Sequence, residues 1–277
     1  TQGGSFAELE SGENVLIAKP APTGFSEGAK LRLEIIAAAR RGKLARAQVT
    51  DLTCNDVDAF AAWKASLPGN DGLPQVSDPE TIEAAFDLAL SNSVTLQGGG
   101  PVHTDRTRAL TAFDIDTSGR QARGSAGARA LSINREAVTE VARQCALRDV
   151  GGLIVVDCEG PLNRAANHDI DTAFQTAFKK ASTRAVETIS PSRFGLYQAA
   201  LAWGQSPADD RTLDERGAPT SETRLLRILR DAQREAKADG AALMRIDLSE
   251  PLLETYLQRR SICDKDLENR FGGRLEI

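Results

Sequence analysis

The residues best suited to chemistry are aspartates at the ends of two apolar stretches. In the first stretch, Asp114 and Asp116 alternate with apolar residues, which predicts a β-strand with both carboxylates on one face, roughly 7 Å apart at Cα. The second stretch, residues 153–156, is apolar throughout and ends in Asp157. It predicts a central strand in a sheet covered on both faces. If the two strands are neighbours, Asp114 and Asp157 converge on one point.

Two carboxylates at close range repel each other unless a proton or a cation lies between them. Mg²⁺ suits such a pair because it takes oxygen ligands, keeps several waters and lowers the pKa of a bound water. From spacing alone, the alternative that these aspartates cap loops and helices stays open. A nucleophilic triad is not predicted, since His103 and His168 are the only histidines and no Ser or Cys has a recognisable nucleophile setting. Cys158 is interpreted as a packing residue.

The elements that position these residues form an α/β pattern. Weak alternation over residues 1–50 predicts short antiparallel strands, and Gly98–Gly100 predicts a plain turn because Pro101 follows it. Residues 206–218 have the composition of a linker, and a small α/β unit follows them. The elements predicted between them are a strand at 109–115, a helix at 134–148, a strand at 153–156, a helix at 169–181, a strand at 185–189 and a helix from about Tyr197 through Trp203.

Composition limits the class of protein. With 277 residues and 41% hydrophobic residues, the chain has room for about two domains. A net charge of −5 excludes a generally basic protein that coats nucleic acid, so any RNA contact must be local. The four cysteines form no C-x-x-C pair, which argues against a zinc clip and favours a reducing compartment. Without a membrane-length apolar run or a signal peptide at Thr1, we expect a cytoplasmic location and no membrane partner.

Three stretches go beyond generic pattern. Residues 108–116 read RALTAFDID, residues 142–157 read ARQCALRDVGGLIVVD, and residues 189–196 read ISPSRFGL. In sequence, order and spacing they resemble the ribonuclease E/G family, and the resemblance covers about residues 98–277. It implies an α/β (α+β) chain with a partial OB-type β-unit at 1–50, an RNase H-like or connecting segment at 51–105, a deoxyribonuclease I-like catalytic domain at 106–205 and a small C-terminal α/β domain at 206–277.

The resemblance also implies roles for individual residues. Asp114 and Asp157 are the catalytic pair that holds Mg²⁺, and Asp116 stands as a third ligand where the family usually has Asn. The added negative charge of Asp116 could tighten the ion or misplace it. Arg193 is expected to hold the fold. The cations expected to meet RNA phosphates are Arg120, Arg123, Arg129, Lys179, Lys180 and Arg184.

Departures from the family pattern change some expectations. Between Arg46 and Asp78 there is no room for the domain that senses a 5′ monophosphate, so no preference for such ends is expected. The cysteines that share zinc between subunits are missing, so any oligomer is not zinc-linked. Residues 1–50 resemble only the later part of the RNA-clamping barrel, and an upstream segment would be expected to complete it.

These observations favour a Mg²⁺-dependent endoribonuclease that hydrolyses single-stranded RNA to 5′-phosphate and 3′-hydroxyl ends, in RNA processing or decay. One alternative is a non-catalytic RNA-binding or regulatory paralogue. Another is a Mg²⁺-dependent deoxyribonuclease or phosphatase on a similar scaffold. Retention of two mutually repelling carboxylates favours the enzyme, because a degenerate paralogue has no chemical reason to keep them.

Overall fold

The computed structural model describes residues 5–18, 24–40, 43–51, 61, 63–64, 67–69, 76, 78–120, 124–241 and 243–277. Arg123 and most of residues 52–77 lie outside these residues. The chain divides into two compact units, one of Thr1–Gln75 with Asp87–Ala208 and one of Val76–Phe86 with Asp209–Ile277. The predicted mixed α/β class is confirmed, with several sheets and helices in the described residues.

The first unit begins with a four-stranded sheet in the order β1-β2-β4-β3. The β1/β2 and β3/β4 pairs are antiparallel, as predicted, but β2 and β4 are parallel, with Val15 opposite Ala45. The antiparallel prediction is wrong for this pair because the chain crosses from β2 to the far edge and returns between the two. The strands are β1 (Ser5–Glu8), β2 (Asn14–Ile17), β3 (Leu33–Ala37) and β4 (Ala45–Val49).

A six-stranded sheet forms the main scaffold, in the order β5-β6-β7-β8-β10-β9. Neighbouring strands are antiparallel except β7 and β8, which are parallel. The three predicted strands of this region are confirmed as β7, β8 and β9, and two further strands, β5 and β6, lie before β7. The strands are β5 (Ser93–Thr95), β6 (Pro101–Arg106), β7 (Leu110–Ile115), β8 (Gly152–Asp157), β9 (Val186–Ile189) and β10 (Leu196–Leu201).

The helix predicted from Tyr197 to Trp203 is wrong, since this segment is the strand β10. Its side chains are buried at every second position, at Tyr197, Ala199 and Leu201. That period of two is the pattern of a strand with one covered face. The two alanines have high helix propensity, but the burial of alternate residues against the helices outweighs it.

Two long helices cover one face of this sheet. Helix α2 (Ala126–Leu147) is capped by Ser125, and α3 (Arg164–Ala181) by Asn163, whose side chain accepts the Ala166 N–H at 2.9 Å. They are preceded in the chain by α1 (Pro79–Leu90). The core between helices and sheet includes fully buried side chains from both layers, among them Phe113, Val138, Ile154, Phe174 and Tyr197.

The opposite face of the sheet is open. The side chain of Leu153 is 42% exposed, and those of Leu110, Ala112 and Val155 are partly exposed. The prediction that β8 is covered on both faces is therefore wrong. An apolar run satisfies strand propensity whether one face or both are buried, so composition alone does not distinguish the two cases.

The second unit is a small α/β unit. Its core combines Ala232 and Ala236 with Leu267 and Phe271. Its helices and strands, together with the short helix that leads into it, are α4 (Ala208–Thr212), α5 (Ser221–Ala238), β11 (Met244–Arg245), α6 (Glu250–Gln258), α7 (Arg260–Phe271) and β12 (Leu275–Glu276). Among the helices of the described segments, none has the length and apolar character that a bilayer crossing requires.

Candidate functional site

Asp114 and Asp157 are direct partners in the parallel β7/β8 pair. Both side chains are exposed on the open face, at the carboxyl ends of the two strands. Because neighbouring strands lie about 4.8 Å apart, partners in one row project side by side. The condition on which the sequence prediction depended, that the two strands are neighbours, is confirmed. This arrangement brings two like charges together at the surface.

His103 extends this row on the other side of Asp114. It lies on β6 directly opposite Asp114, so His103, Asp114 and Asp157 come from three adjacent strands. The sequence alone assigns no role to His103. The glycine turn indicates the β5/β6 hairpin, but the pairing of β6 with β7 is a long-range feature that no local pattern contains.

Asp116 closes the loop that follows β7. One of its carboxylate oxygens accepts the Ser118 N–H at 2.7 Å and the other accepts the Ser118 hydroxyl at 3.0 Å. These bonds lower the pKa of Asp116, and the nearby His103 lowers it further. The side chain therefore stays ionised and shapes its own loop, which is the role expected of a strand-end cap. Its service as a third metal ligand stays a prediction.

A buried amide holds the loop after Asp157. Asn134 on α2 is fully buried; its side chain donates to the Glu159 carbonyl at 2.8 Å and accepts the Glu159 N–H at 2.9 Å. The intervening Cys158 N–H donates to the Gly195 carbonyl at 3.1 Å. Burial raises the pKa of the Cys158 thiol to about 12, so the thiol stays neutral, in agreement with the predicted packing role.

Arg120 ties the glycine turn to α2. Its side chain is only 9% exposed and forms a 2.5 Å ion pair with Glu136. The same guanidinium donates to the Gly99 carbonyl at 3.3 Å, while Glu136 accepts the Gly98 N–H at 2.7 Å. Gly98–Gly100 is thus the plain hairpin turn that the sequence predicts, and the guanidinium predicted to meet RNA is engaged within the fold.

Arg184 is likewise engaged with the backbone. Its guanidinium donates to the carbonyls of Val150 at 2.8 Å, Cys145 at 3.0 Å and Ala202 at 3.3 Å. Burial lowers its pKa, and the three carbonyls compensate part of the lost hydration. These contacts lie at the Gly152 end of β8, opposite the end that carries Asp157. RNA contact through Arg184 stays a prediction, but this position does not converge with the carboxylates.

The remaining predicted cations are exposed. Arg129 lies in the first turn of α2 and donates to the Gly124 carbonyl at 2.7 Å. Lys179 and Lys180 lie in the last turn of α3, which runs back from the Asp157 end of β8. Because 18 helical residues span about 27 Å, these lysines lie far from the carboxylate pair. Arg123 lies outside the described residues.

The contrast between Arg120 and Arg129 gives a testable prediction. We expect Arg120→Gln to lower the free energy of unfolding by about 2 kcal/mol, because it removes the ion-pair partner of Glu136 and the side-chain donor to the Gly99 carbonyl. Arg129→Gln makes the same change of charge at an exposed position, so we expect little loss of stability and a weaker RNA affinity. Urea denaturation and fluorescence anisotropy with labelled RNA measure the two effects. Equal stability of both variants would contradict the structural role of Arg120.

The donor set suits one class of ion. Among the described residues, no three His, Cys, Asp or Glu side chains form an ion-binding group, which leaves the adjacent Asp114 and Asp157 as the candidate ligands. Mg²⁺ is commonly bound by one or two carboxylates, completed by waters and phosphate oxygens, whereas structural zinc needs four protein ligands. The residues present therefore fit Mg²⁺.

Comparison with known proteins agrees with this geometry. The model of the "Ribonuclease E/G family" matches residues 53–200, more than half of the chain and the segment that contains both carboxylates. The chain therefore belongs to the ribonuclease E/G family.

Individual relatives agree with that assignment. The chain is 34% identical to "Ribonuclease E" of Haemophilus influenzae and to that of Escherichia coli over 117 residues, which is 42% of this chain and 12% and 11% of those proteins. It is 48% identical over 77 residues to "Ribonuclease E" of Buchnera aphidicola subsp. Schizaphis graminum, covering 27% of this chain and 8% of that protein. The matched segment thus corresponds to a small part of these relatives.

Proposed function

We propose that this chain is a Mg²⁺-dependent endoribonuclease that hydrolyses single-stranded RNA and leaves 5′-phosphate and 3′-hydroxyl ends. The observation that carries the proposal is the in-register pair of Asp114 and Asp157 on an open sheet face, in a chain of the ribonuclease E/G family. The finer description of the fold, a deoxyribonuclease I-like catalytic domain preceded by a partial OB-type unit, is part of the same proposal.

The roles of the chain's own residues follow from their contacts. Asp114 and Asp157 would hold the ion, which when bound lowers the pKa of a coordinated water and neutralises charge on the phosphate. Their alignment is maintained from both sides: Asp116 fixes the loop after β7 through Ser118, and Asn134 fixes the loop after β8 through Glu159. Groups held in place before substrate arrives lose little free energy to reorganisation during the reaction.

The open face supports a single-stranded substrate. The carboxylates project from a sheet face on which the neighbouring side chains of Ala112 and Val155 are partly exposed, and such a face can accept an extended single strand. Arg129 offers a cation for the RNA backbone. The free thiols of Cys145 and Cys158 are compatible with the reducing cytoplasm, where we place this activity in RNA processing or decay.

The experiment that tests the proposal uses the purified chain with a 5′-labelled, unstructured RNA, in Mg²⁺ or in excess chelator. We expect internal cuts only with Mg²⁺, and products with 3′ ends that poly(A) polymerase extends and 5′ ends that ligase accepts. A DNA oligonucleotide of the same sequence should stay intact. RNA binding without cleavage would favour the non-catalytic paralogue, and cleavage of DNA would favour the deoxyribonuclease alternative.

A further inference from the structure

The turn that precedes β10 presents an unusually exposed aromatic ring. The side chain of Phe194 is 72% exposed, the largest exposed fraction among the aromatic residues that the structure describes. Single exposed apolar residues are common and need no function in themselves. Three features distinguish this ring: the place of its turn next to Asp157, the hydrogen bonds that hold the turn, and the adjacent Arg193.

The turn that carries the ring lies beside the carboxylate pair. Leu196, two residues further on, is the strand partner of Asp157. A Cβ atom placed on Gly195 would lie 3.9 Å from Asp157 Oδ1 and 3.0 Å from the Cys158 carbonyl oxygen. Consecutive Cα atoms are 3.8 Å apart, so Phe194 is one residue from direct contact with Asp157. A nucleotide whose phosphate reaches the carboxylates therefore has its base, or the adjoining base, near this ring.

Hydrogen bonds hold the turn that carries the ring. The Ser192 N–H donates to the Leu196 carbonyl at 3.0 Å, and the Gly195 N–H donates to the Ser192 carbonyl at 2.9 Å. The Phe194 N–H donates to Ser192 Oγ at 3.2 Å, and Asn167 on α3 donates to the Pro191 carbonyl at 2.9 Å. Because this backbone is already fixed, stacking of a ligand on the ring costs little further backbone conformational entropy.

A cation lies over the same ring. The guanidinium carbon of Arg193 is 4.7 Å from the centre of the Phe194 ring, and the Arg193 side chain is exposed. That Arg193 holds the fold stays a prediction. An exposed ring paired with an arginine is a surface to which single-stranded nucleic acid binds, because bases stack on the ring while the guanidinium interacts with a base or a phosphate.

We propose that Phe194, with Arg193, is a base-stacking platform next to the carboxylate pair, which holds a nucleobase adjoining the phosphate to be cut. The inference rests on the proposed function, because it assumes that RNA reaches Asp114 and Asp157. Stacking on a phenyl ring tolerates every base. The platform therefore positions the strand at the cleavage point without imposing a sequence.

The test measures RNA affinity in an Asp157→Asn background, where cleavage is not expected and the loss of a negative charge favours RNA binding. The probes are a labelled ten-nucleotide oligo(U) and an abasic strand of the same length. We expect Phe194→Ala and Phe194→Leu to weaken oligo(U) binding by about 10- to 100-fold and to leave abasic binding unchanged. Phe194→Trp should retain the affinity, and its indole fluorescence should be quenched by oligo(U) alone.

Ile189→Ala is the matched control, because Ile189 is 63% exposed on the neighbouring strand β9 and should not affect either probe. Circular dichroism confirms that each variant is folded. Unchanged oligo(U) affinity in Phe194→Ala and Phe194→Leu, or an equal loss for the abasic strand, overturns the stacking platform alone. If the folded Asp157→Asn chain with Phe194 in place binds neither oligo(U) nor the abasic strand, the platform and the proposed function are both overturned.

Discussion

Replacing Asp157 with Asn is expected to abolish Mg²⁺-dependent RNA cleavage while leaving the fold intact. The loss should be on the order of 10³-fold or more, because removal of one ligand costs several kcal/mol of charge stabilisation at the reacting phosphate. Without added metal, the variant should be at least as stable as the parent. Asp157 is exposed, and its neighbour in the same row is the like-charged Asp114.

A loss of cleavage without a loss of stability distinguishes a metal ligand from an aspartate with a structural role. Thermal unfolding with and without Mg²⁺ provides the second readout, since a bound ion raises the melting temperature of the parent but not that of the variant. The matched control is Asp105→Asn, which removes a charge from an exposed position on β6, opposite Ala112. We expect the control to retain both cleavage and the Mg²⁺-dependent shift. A lower melting temperature for Asp157→Asn without metal would indicate a capping role instead.

The largest expected effect on stability is that of Gly100→Ala. Gly100 has φ +80°, and a Cβ atom there would lie 2.3 Å from the Asp116 carbonyl oxygen. The positive φ costs a non-glycine residue about 1–2 kcal/mol, and forcing two backbone segments apart costs a further 1–3 kcal/mol or so. We therefore expect a loss of roughly 3 kcal/mol or more in the free energy of unfolding.

Gly119→Ala separates the cost of the positive φ from the cost of the steric clash. Gly119 has nearly the same backbone angle, φ +75°, but nothing lies within 4 Å of its added Cβ. Its substitution should therefore cost only the conformational part, about 1 kcal/mol. Urea denaturation compares the two variants. Because the Asp116 N–H pairs with the Pro101 carbonyl next to Gly100, Gly100→Ala should also reduce cleavage more than Gly119→Ala does. Equal losses of stability would contradict the close approach of the turn to Asp116.

The carboxylate pair was predictable because its signals are local. The alternation up to Asp114 and the apolar run up to Asp157 each predict the end of a strand from a stretch of about six residues. The family resemblance identified both positions. The register was not predictable, because it depends on the pairing of two segments about forty residues apart in the chain. The same limit applies to His103, whose position opposite Asp114 follows only from the β6/β7 pairing.

Whether a given cation or apolar side chain is exposed could not be predicted, for a different reason. Arg120 and Arg184 look like available charges in the sequence, yet one is held by Glu136 and the other by three backbone carbonyls. Lys and Arg are normally exposed, so the burial of an arginine is decided by distant partners that no short window contains. Leu153 shows the opposite error. Its apolar neighbours predict a side chain buried in a sheet covered on both faces, but Leu153 is 42% exposed.

The in-register pairing of β7 and β8 also bears on how the chain reaches its native state. A slip of one residue would turn one carboxylate towards the face where Ile154 and Val156 are fully buried, and an unpaired charge there is strongly unfavourable. A slip would also separate Asp114 from Asp157, so a cation that needs both would stabilise only the correct pairing. At the proposed Mg²⁺ site, ion binding would therefore be limited to chains whose central strands are already paired in the correct register.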